Sequence, residues 1–312
     1  MKPIVTLTLN PSIDGASEAA EVRPIHKVRT SKERYDPGGG GVNVARVALE
    51  LGGQAFAVYC AGGATGSVFD QLLRERGVPA RRVDIADHTR ISHTVFETKT
   101  GLEYRFVPEG PELSAAERVA VLDAVEQLDF DYLVASGSLP RGAPADFYVQ
   151  IGEIVRRRGA KLVLDTSGAA LEASMEACGV YLAKPSLGEF EKLVDRKLED
   201  PAAQEAAALD FVRRGCVELL AVTMGHDGAI LATTDGVTRL PALKLETKSA
   251  VGAGDSFVAA MTVALARGET PRDAFVWGMA GGSAAVLTDG TDLARREDVE
   301  RLRRRILDEA RG

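Results

Sequence analysis

The sequence contains little cysteine, with three residues in a chain of 312. Cys60, Cys178 and Cys216 lie far apart and form no C-x-x-C pair, which argues against a zinc site or a disulfide framework. We therefore expect three packed thiols in a reducing compartment. The four histidines show no metal-ligand spacing, and the single tryptophan, Trp277, is expected in the core.

Long apolar runs and an excess of positive charge are also absent. No stretch is apolar over the length that a membrane-spanning helix needs, and the first residues show no signal-peptide core. The formal net charge of -7 argues against a nucleic-acid footprint and against a basic membrane-binding face. We expect a cytoplasmic protein whose partners are small molecules, with no nucleic acid and no membrane among them.

Two common nucleotide-binding fingerprints are missing as well. No G-x-G-x-x-G motif follows the first strand-like segment, which disfavours a Rossmann dehydrogenase, and no Walker A motif occurs in the sequence. The remaining composition is that of an ordinary globular protein, with 45% hydrophobic and 27% charged residues. The chain is long enough to bury one large core.

Short apolar runs alternate with helical segments along most of the chain. This alternation predicts an α/β fold with a mostly parallel sheet, helices on both faces and ligand-binding loops at the carboxyl ends of the strands. The strand-like runs are 4–9, 55–59, 132–135, 161–165, 180–183 and 217–222, and an antiparallel edge hairpin is expected over 229–240.

A hairpin pattern interrupts this alternation over residues 93–107. Together with residues 13–35 it is expected to form a small β-sheet beside the main body, with Asp14 in a polar loop. Arg90 and Arg105 carry the planar fork that suits a phosphate. On the local sequence alone, however, two solvated arginines are the better explanation.

Four consecutive glycines, Gly38–Gly41, precede a helical segment that runs from Val42 to Leu51. Such a run lets the backbone approach a ligand where any Cβ would clash. Asn43, in the first turn of the helix, can donate a hydrogen bond to a ligand hydroxyl. A flexible loop is the simpler alternative, but the position of Asn43 favours a binding loop.

A second glycine pair, Gly252 and Gly254, precedes an apolar helical run that begins near Phe257. Free backbone N–H groups and the positive end of the helix dipole suit an anion there, whereas Asp255 would repel a bound phosphate. Both features fit one arrangement, in which the amides hold a transferring phosphoryl group and Asp255 takes the proton of an attacking hydroxyl. The alternative is that Asp255 is an ordinary N-cap of the helix after a flexible turn.

The two glycine-rich motifs, Asp36–Ala45 and Lys248–Phe257, resemble the N-terminal and C-terminal signatures of the ribokinase-like (PfkB) carbohydrate kinases. Thr6–Asp14, Ala61–Gly66 and Ser136–Pro140 support the resemblance, which extends over nearly the whole chain and is strongest to the minor-type bacterial 6-phosphofructokinases. It implies a ribokinase-like three-layer αβα fold as one kinase domain over residues 1–312. A small β-sheet lid would be inserted from about 11–36 and 88–108.

The resemblance also implies ATP and Mg²⁺ as cofactors, K⁺ as a further candidate, and a role for each matching residue. Asp255 would be the base, with Gly252, Ala253 and Gly254 as the anion hole. The sugar hydroxyls would be held by Asp14, Gly38, Gly39 and Asn43, and the 6-phosphate by Lys27, Arg90, Arg105 and Ser138. ATP would lie along Lys184, Ser186, Thr223, Gly225 and Gly228. Glu189 would act on Mg²⁺ through water, and a monovalent cation would be bound by Ser249, Val251, Ala285, Thr288 and Gly290.

The implied reaction is phosphorylation of fructose 6-phosphate at its 1-hydroxyl to give fructose 1,6-bisphosphate. The all-glycine run Gly38–Gly41 favours a 6-phosphate acceptor, because relatives that use fructose 1-phosphate typically have a lysine there. Tagatose 6-phosphate kinase and 1-phosphofructokinase are the alternatives. Ser186 replaces the usual Asn of an N-x-x-E pattern and is the one feature that favours a non-catalytic sensor. We also expect a homodimer that buries the apolar face of the lid.

Overall fold

The computed structural model describes residues 2–288 and 290–309. In chain order its strands are β1 (Ile4–Thr8), β2 (Ser12–Ala19), β3 (Thr30–Gly38), β4 (Ala55–Gly62), β5 (Ala80–Ile85), β6 (Arg90–Glu97), β7 (Leu102–Phe106), β8 (Tyr132–Ser136), β9 (Lys161–Asp165), β10 (Val180–Ala183), β11 (Val217–Thr223), β12 (Ala229–Thr233) and β13 (Gly236–Leu240). The helices are α1 (Gly40–Glu50), α2 (Gly63–Glu75), α3 (Ala115–Glu126), α4 (Phe147–Arg157), α5 (Gly168–Ala177), α6 (Leu187–Leu193), α7 (Pro201–Arg213), α8 (Ala253–Ala266), α9 (Pro271–Ala285) and α10 (Arg296–Glu309).

The main sheet has the order β13-β12-β11-β10-β9-β8-β1-β4-β5 within the described residues. Strands β1, β4, β5 and β8–β11 are parallel, and β12 and β13 form an antiparallel hairpin at one edge. Every residue of β1 is buried, as expected for strands of a sheet that is covered on both faces. The predicted parallel sheet and edge hairpin are confirmed.

Two hydrophobic clusters cover the two faces of this sheet. One contains Val42 of α1, Phe257 of α8 and Phe275 of α9, and the other contains Phe147 of α4 and Phe190 of α6. Helices α1, α2 and α8–α10 therefore pack on one face, and α3–α7 pack on the other. The resulting three-layer αβα arrangement confirms the predicted fold class.

A separate small sheet has the order β3-β2-β6-β7, with β2 and β6 parallel and both outer pairs antiparallel. Asp14 lies within β2, so its predicted place in a polar loop is wrong. The reason is pairing on both sides, because Asp14 is opposite Asp36 of β3 and Ser92 of β6. Pairing with two neighbours overrides the weak strand propensity of this segment.

The prediction of three packed thiols is also wrong. Cys178 and Cys216 form a disulfide between the end of α5 and the start of β11, while Cys60 is free and buried. The two bonded cysteines come just before β10 and β11, which are adjacent and parallel. Strand adjacency brings them together over a separation of 38 residues, which spacing alone does not reveal.

Two helices and one strand have no counterpart among the predicted elements. Helix α5 consists largely of small residues without a clear apolar stripe, and the short α6 depends on its cap. Strand β5 has three charged residues among six. Among the described residues no helix has the length and apolarity needed to cross a membrane.

Candidate active site

The first turn of α8 forms one wall of the candidate active site. Gly252 caps the helix with a φ of 72°, and a Cβ there would lie 2.4 Å from Leu293 Cδ2, so both conformation and space demand glycine. The helix continues for 14 residues, which gives its N-terminus a full dipole. The N–H groups of this first turn have no acceptor within the helix and can bind an anion, although Ala253 N–H also makes a long hydrogen bond of 3.4 Å to Ala250 O.

Asp255 lies in this first turn and contacts α1. Its Oδ2 accepts a hydrogen bond of 2.9 Å from Asn43 Nδ2, which joins the two glycine-rich motifs in space. Burial, reinforced by Asp165, raises the pKa of Asp255 to about 7, against the lowering effects of Asn43 and Lys184. A carboxyl group with such a pKa can exchange a proton near neutral pH, as a general base requires.

Lys184 lies beneath the same helix turn. Its Nζ is 3.1 Å from Asp165 Oδ1, and a Cβ at Gly254 would lie 3.3 Å from that Nζ. Burial lowers the pKa of Lys184, but Asp165 and Asp255 outweigh this effect and raise it, so the side chain is charged. Asp165 was not predicted as a site residue, although its place at the carboxyl end of a buried strand is the relevant signal.

The first glycine run brings Asp14 to the site. A Cβ at Gly38 would lie 1.9 Å from Asp14 Oδ2, so the carboxylate packs directly against this backbone. Ser12 Oγ donates a hydrogen bond to Asp14 Oδ1. Burial raises the pKa of Asp14, whereas Ser12 and Arg90 lower it. Gly39, at a φ of 108°, makes the turn between β3 and α1 that orients Asn43 toward Asp255.

A small pocket of about 160 Å³ lies beside Asp14 and is lined by Arg90 and Arg105. Arg90 donates to Asn10 O at 2.8 Å and to Pro108 O at 2.9 Å, which anchors its guanidinium at the base of the small sheet. Asn10 is a supporting residue that the sequence analysis missed. The other two residues predicted to bind phosphate do not line this pocket: Lys27 is exposed in the loop after β2, and Ser138 is hydrogen-bonded by Asn10 at 3.4 Å.

A larger pocket of about 880 Å³ lies on the other side of the α8 turn. Its lining is mainly apolar and includes Leu243, Phe257 and Met279. Three of the residues predicted to contact ATP, namely Thr223, Gly225 and Gly228, line it together with the anion-hole residues Ala253 and Gly254.

Ser186 and Glu189 form a capping box at the start of α6. Ser186 N–H and Oγ–H donate to Glu189 Oε2 at 2.7 and 2.8 Å, and Glu189 N–H donates to Ser186 Oγ at 3.4 Å. Neither residue lines the larger pocket. Serine in place of asparagine thus has a structural role, because it caps the helix and orients the Glu189 carboxylate.

The residues predicted to bind a monovalent cation come from two adjoining segments, the loop before α8 and the end of α9 with the residues after it. Ser249 Oγ donates to Gly290 O at 3.3 Å and accepts from Val251 N–H at 3.2 Å. Thr288 Oγ1 donates to Ala285 O at 2.7 Å. The structure therefore brings the loop before α8 next to the end of α9 and the residues that follow it, and these two segments contain all five predicted residues.

Comparisons with known proteins agree with this geometry. The sequence model of the pfkB family carbohydrate kinases matches residues 8–297. The chain is 44% identical over 300 residues to an ATP-dependent 6-phosphofructokinase isozyme 2 of Mycobacterium tuberculosis, covering 96% of this chain and 88% of that protein.

Two crystal structures of Escherichia coli phosphofructokinase-2 superpose on nearly the whole chain. The complex with potassium has a TM-score of 0.94 at 35% identity, and the complex with fructose-6-phosphate has 0.93 at 34%. Each alignment covers 98% of this chain and 100% of the other. The chain is a sugar kinase that belongs to the pfkB family of carbohydrate kinases.

Proposed function

We propose that the protein transfers the γ-phosphoryl group of ATP to the 1-hydroxyl of fructose 6-phosphate. The observation that carries this proposal is the position of Asp255 in the α8 turn, which separates the two pockets. Gly254 of the turn lines the larger pocket, and Val251 just before it lines the smaller one. A nucleotide in one pocket and a sugar phosphate in the other would meet at Asp255.

The smaller pocket suits an acceptor that already carries a phosphate. Arg90 and Arg105 supply planar donors on one side, and Asp14 supplies an acceptor for sugar hydroxyls on the other. An unphosphorylated sugar would leave these guanidinium groups without an anion. The mycobacterial relative, an ATP-dependent 6-phosphofructokinase, and the E. coli complex with fructose-6-phosphate support the same acceptor.

Transfer needs positioned charge more than covalent chemistry from the protein. Asp255 takes the proton of the 1-hydroxyl, and the freed oxygen forms a bond to the γ-phosphorus while the bond from phosphorus to the β-bridging oxygen breaks. ADP leaves with the electron pair of that bond. The N–H groups of Ala253 and Gly254, together with the Lys184 ammonium beneath them, stabilise the charge on the transferring group.

Magnesium would be held indirectly. In the described part of the chain Glu189 Oε2 is occupied by the capping box, which leaves Oε1 to bind a water ligand. This fits Mg²⁺, which keeps several waters and binds one or two carboxylates together with substrate phosphates. When bound, the ion would neutralise phosphate charge.

A potassium ion would suit the two loops around Ser249 and Thr288. The backbone carbonyls of Ala285 and Gly290 are turned toward these hydroxyls, and oxygen ligands of this kind suit a hard cation. The structure of the E. coli relative with potassium supports this part of the proposal.

The small sheet is proposed to be a lid that also forms the interface of a homodimer. Its outward side chains include Ile91, Leu102 and Phe106, which are 45%, 57% and 58% exposed. Several neighbouring apolar side chains on one small sheet are costly to leave in water. Pairing with a second copy would cover them and would stabilise a sheet of four strands.

The test is ADP formation from Mg-ATP with fructose 6-phosphate, tagatose 6-phosphate, fructose 1-phosphate, fructose and ribose. We expect the highest kcat/KM for fructose 6-phosphate, at least tenfold above unphosphorylated fructose, because bidentate phosphate contacts contribute more than about 1.4 kcal/mol. Preference for tagatose 6-phosphate would replace fructose 6-phosphate by its epimer as the assigned acceptor. Preference for fructose would refute the roles of Arg90 and Arg105, and no turnover would refute the proposed reaction.

A further inference from the structure

Arg46 connects the proposed base to a buried carboxylate that the mechanism above does not use. It lies on α1 three residues after Asn43, so the two side chains share one face of the helix. Its NH1 donates to Pro37 O at 3.0 Å and to Asn43 Oδ1 at 3.4 Å. Asn43 in turn donates to Asp255 Oδ2.

Asp36 forms an ion pair with the second terminal nitrogen of the Arg46 guanidinium. Its side chain is 1% exposed, and its Oδ1 accepts from Arg76 and lies 3.5 Å from Arg46 NH2. Its Oδ2 accepts from Thr291 Oγ1 at 2.7 Å and lies 3.2 Å from Arg34 Nε. A buried carboxylate with this many donors is rigid, since any movement would leave charges unpaired.

The chemistry of the three groups determines which way the amide of Asn43 points. An amide has a donor end and an acceptor end, whereas a guanidinium can only donate and a carboxylate can only accept. Arg46 therefore selects Oδ1, and Nδ2 is left to face Asp255. Without the arginine only the ionised carboxylate holds Nδ2 in place, so the amide can turn over when Asp255 is protonated and accept the carboxyl O–H at Oδ1. This stabilises the protonated acid and raises the pKa of Asp255.

We propose that Arg46, held by Asp36, is a positioning residue that fixes the amide orientation of Asn43 and so keeps Asp255 able to act as a base near neutral pH. The inference rests on the proposed function, because it gives Asp255 the role of the base. It assigns an effect on catalysis to two residues that touch neither the sugar nor ATP in the proposed arrangement.

Other charges face these groups and must be considered in any pH measurement. Asp165 raises the pKa of Asp255, and Lys184 lowers it. Asp14 also raises it. Around Arg46 the nearby charges are Asp36, Arg76, Asp14 and Asp292. Arg46 additionally lowers the pKa of Asp14, so a change at Arg46 could act through sugar binding instead.

Arg46→Gln tests the proposal, because glutamine keeps a polar side chain but cannot reach both Asp36 and Asn43. In the wild type we expect kcat to fall on the acidic side with a midpoint near 7. In the variant this midpoint should rise by about one pH unit, which lowers kcat about fivefold at pH 7 and less than twofold at pH 9. A raised KM with an unchanged midpoint would place the effect on Asp14 and overturn the proposal.

Arg76→Gln is the matched control. Arg76 also pairs with Asp36 Oδ1 but has no hydrogen bond to Asn43 in the described structure, so its removal should leave the midpoint within about 0.2 pH units. In an Asn43→Ala background, Arg46→Gln should produce no further shift, because the amide through which it acts is gone. Additive shifts would overturn the proposal.

A second readout separates this inference from the proposed reaction. The carboxyl ¹³C signal of Asp255, assigned with Asp255→Asn, can be titrated in the resting protein with and without Arg46→Gln. The same upward shift is expected, and equal titrations would overturn the inference whether or not any sugar is phosphorylated. If Arg46→Gln does not fold, Arg46→Lys retains charge beside Asp36 with a shorter reach and should shift the titration upward by about half a unit.

Discussion

At the scale of the single residue, opposing effects act on the pKa of Asp255. Burial and the nearby Asp165 favour the protonated acid, whereas Asn43 and Lys184 favour the carboxylate. The balance near neutral pH is what a proton acceptor for a hydroxyl needs, because a more acidic group would hold the proton too weakly. The cap that the sequence also allowed is not formed, since the side chain makes no capping hydrogen bond at Gly252 and contacts Asn43 instead.

Replacing this residue by the isosteric amide should remove the base and little else. We expect Asp255→Asn to lower kcat by about 10² to 10⁴, the usual contribution of a positioned base, while the KM for fructose 6-phosphate changes less than about threefold. Steady-state kinetics in the wild type and the variant test this.

The matched control is Asp273→Asn, since Asp273 is also an acid in the first turn of a helix but is exposed and bonded to Thr270. Near-normal turnover in Asp255→Asn, or an equal loss in the control, would contradict the assignment of the base.

At the scale of elements, the site follows from the chain's alternation of strands and helices. The glycine-rich motifs, the parallel sheet and the helices α1 and α8 that follow the glycines could all be predicted, because they depend on local composition and period. The exact starts could not, since α1 begins at Gly40 instead of Val42 and α8 at Ala253 instead of Phe257. The pairing of Asn43 with Asp255 depends on how α1 packs against α8, and the cluster around Asp36 depends on contacts between distant segments. Neither has a local signal, and the same holds for the disulfide.

The disulfide joins two elements that are already adjacent, so its effect should be on stability and not on catalysis. Closing a loop of 38 residues between Cys178 and Cys216 contributes about 3 to 4 kcal/mol in the chain-entropy description. Cys178→Ser should therefore lower the free energy of unfolding by about 2 to 4 kcal/mol under non-reducing conditions, with kcat within twofold of the wild type.

Dithiothreitol provides the control for this substitution. It should destabilise the wild type to the level of Cys178→Ser and leave the variant unchanged. A wild type whose urea midpoint does not respond to dithiothreitol would show that the bond contributes no stability.

At the scale of the whole molecule, most of the large apolar side chains that are exposed in the described part of the chain lie in or next to the small sheet. Dimer formation through this face predicts that a charge placed there will separate the subunits. Phe106→Asp should convert a sedimenting dimer into a monomer at micromolar concentration, since a buried unpaired carboxylate costs several kcal/mol.

Val119→Asp is the matched control, because Val119 is 55% exposed on α3 of the main body, compared with 58% for Phe106. This substitution should leave the dimer intact. A wild-type monomer, or a dimer that survives Phe106→Asp, would rule out the proposed interface.

The strand order of the small sheet also has a consequence for how the protein is made. Its two central strands, β2 and β6, are parallel neighbours, yet β3, α1, β4, α2 and β5 lie between them in the chain. During translation β2 and β3 leave the ribosome well before the strand that will complete their sheet. They can pair with each other early, but one long edge of β2 stays open until β6 has been synthesised. The nascent chain therefore passes through a stage in which this unpaired edge is exposed to other chains or to chaperones.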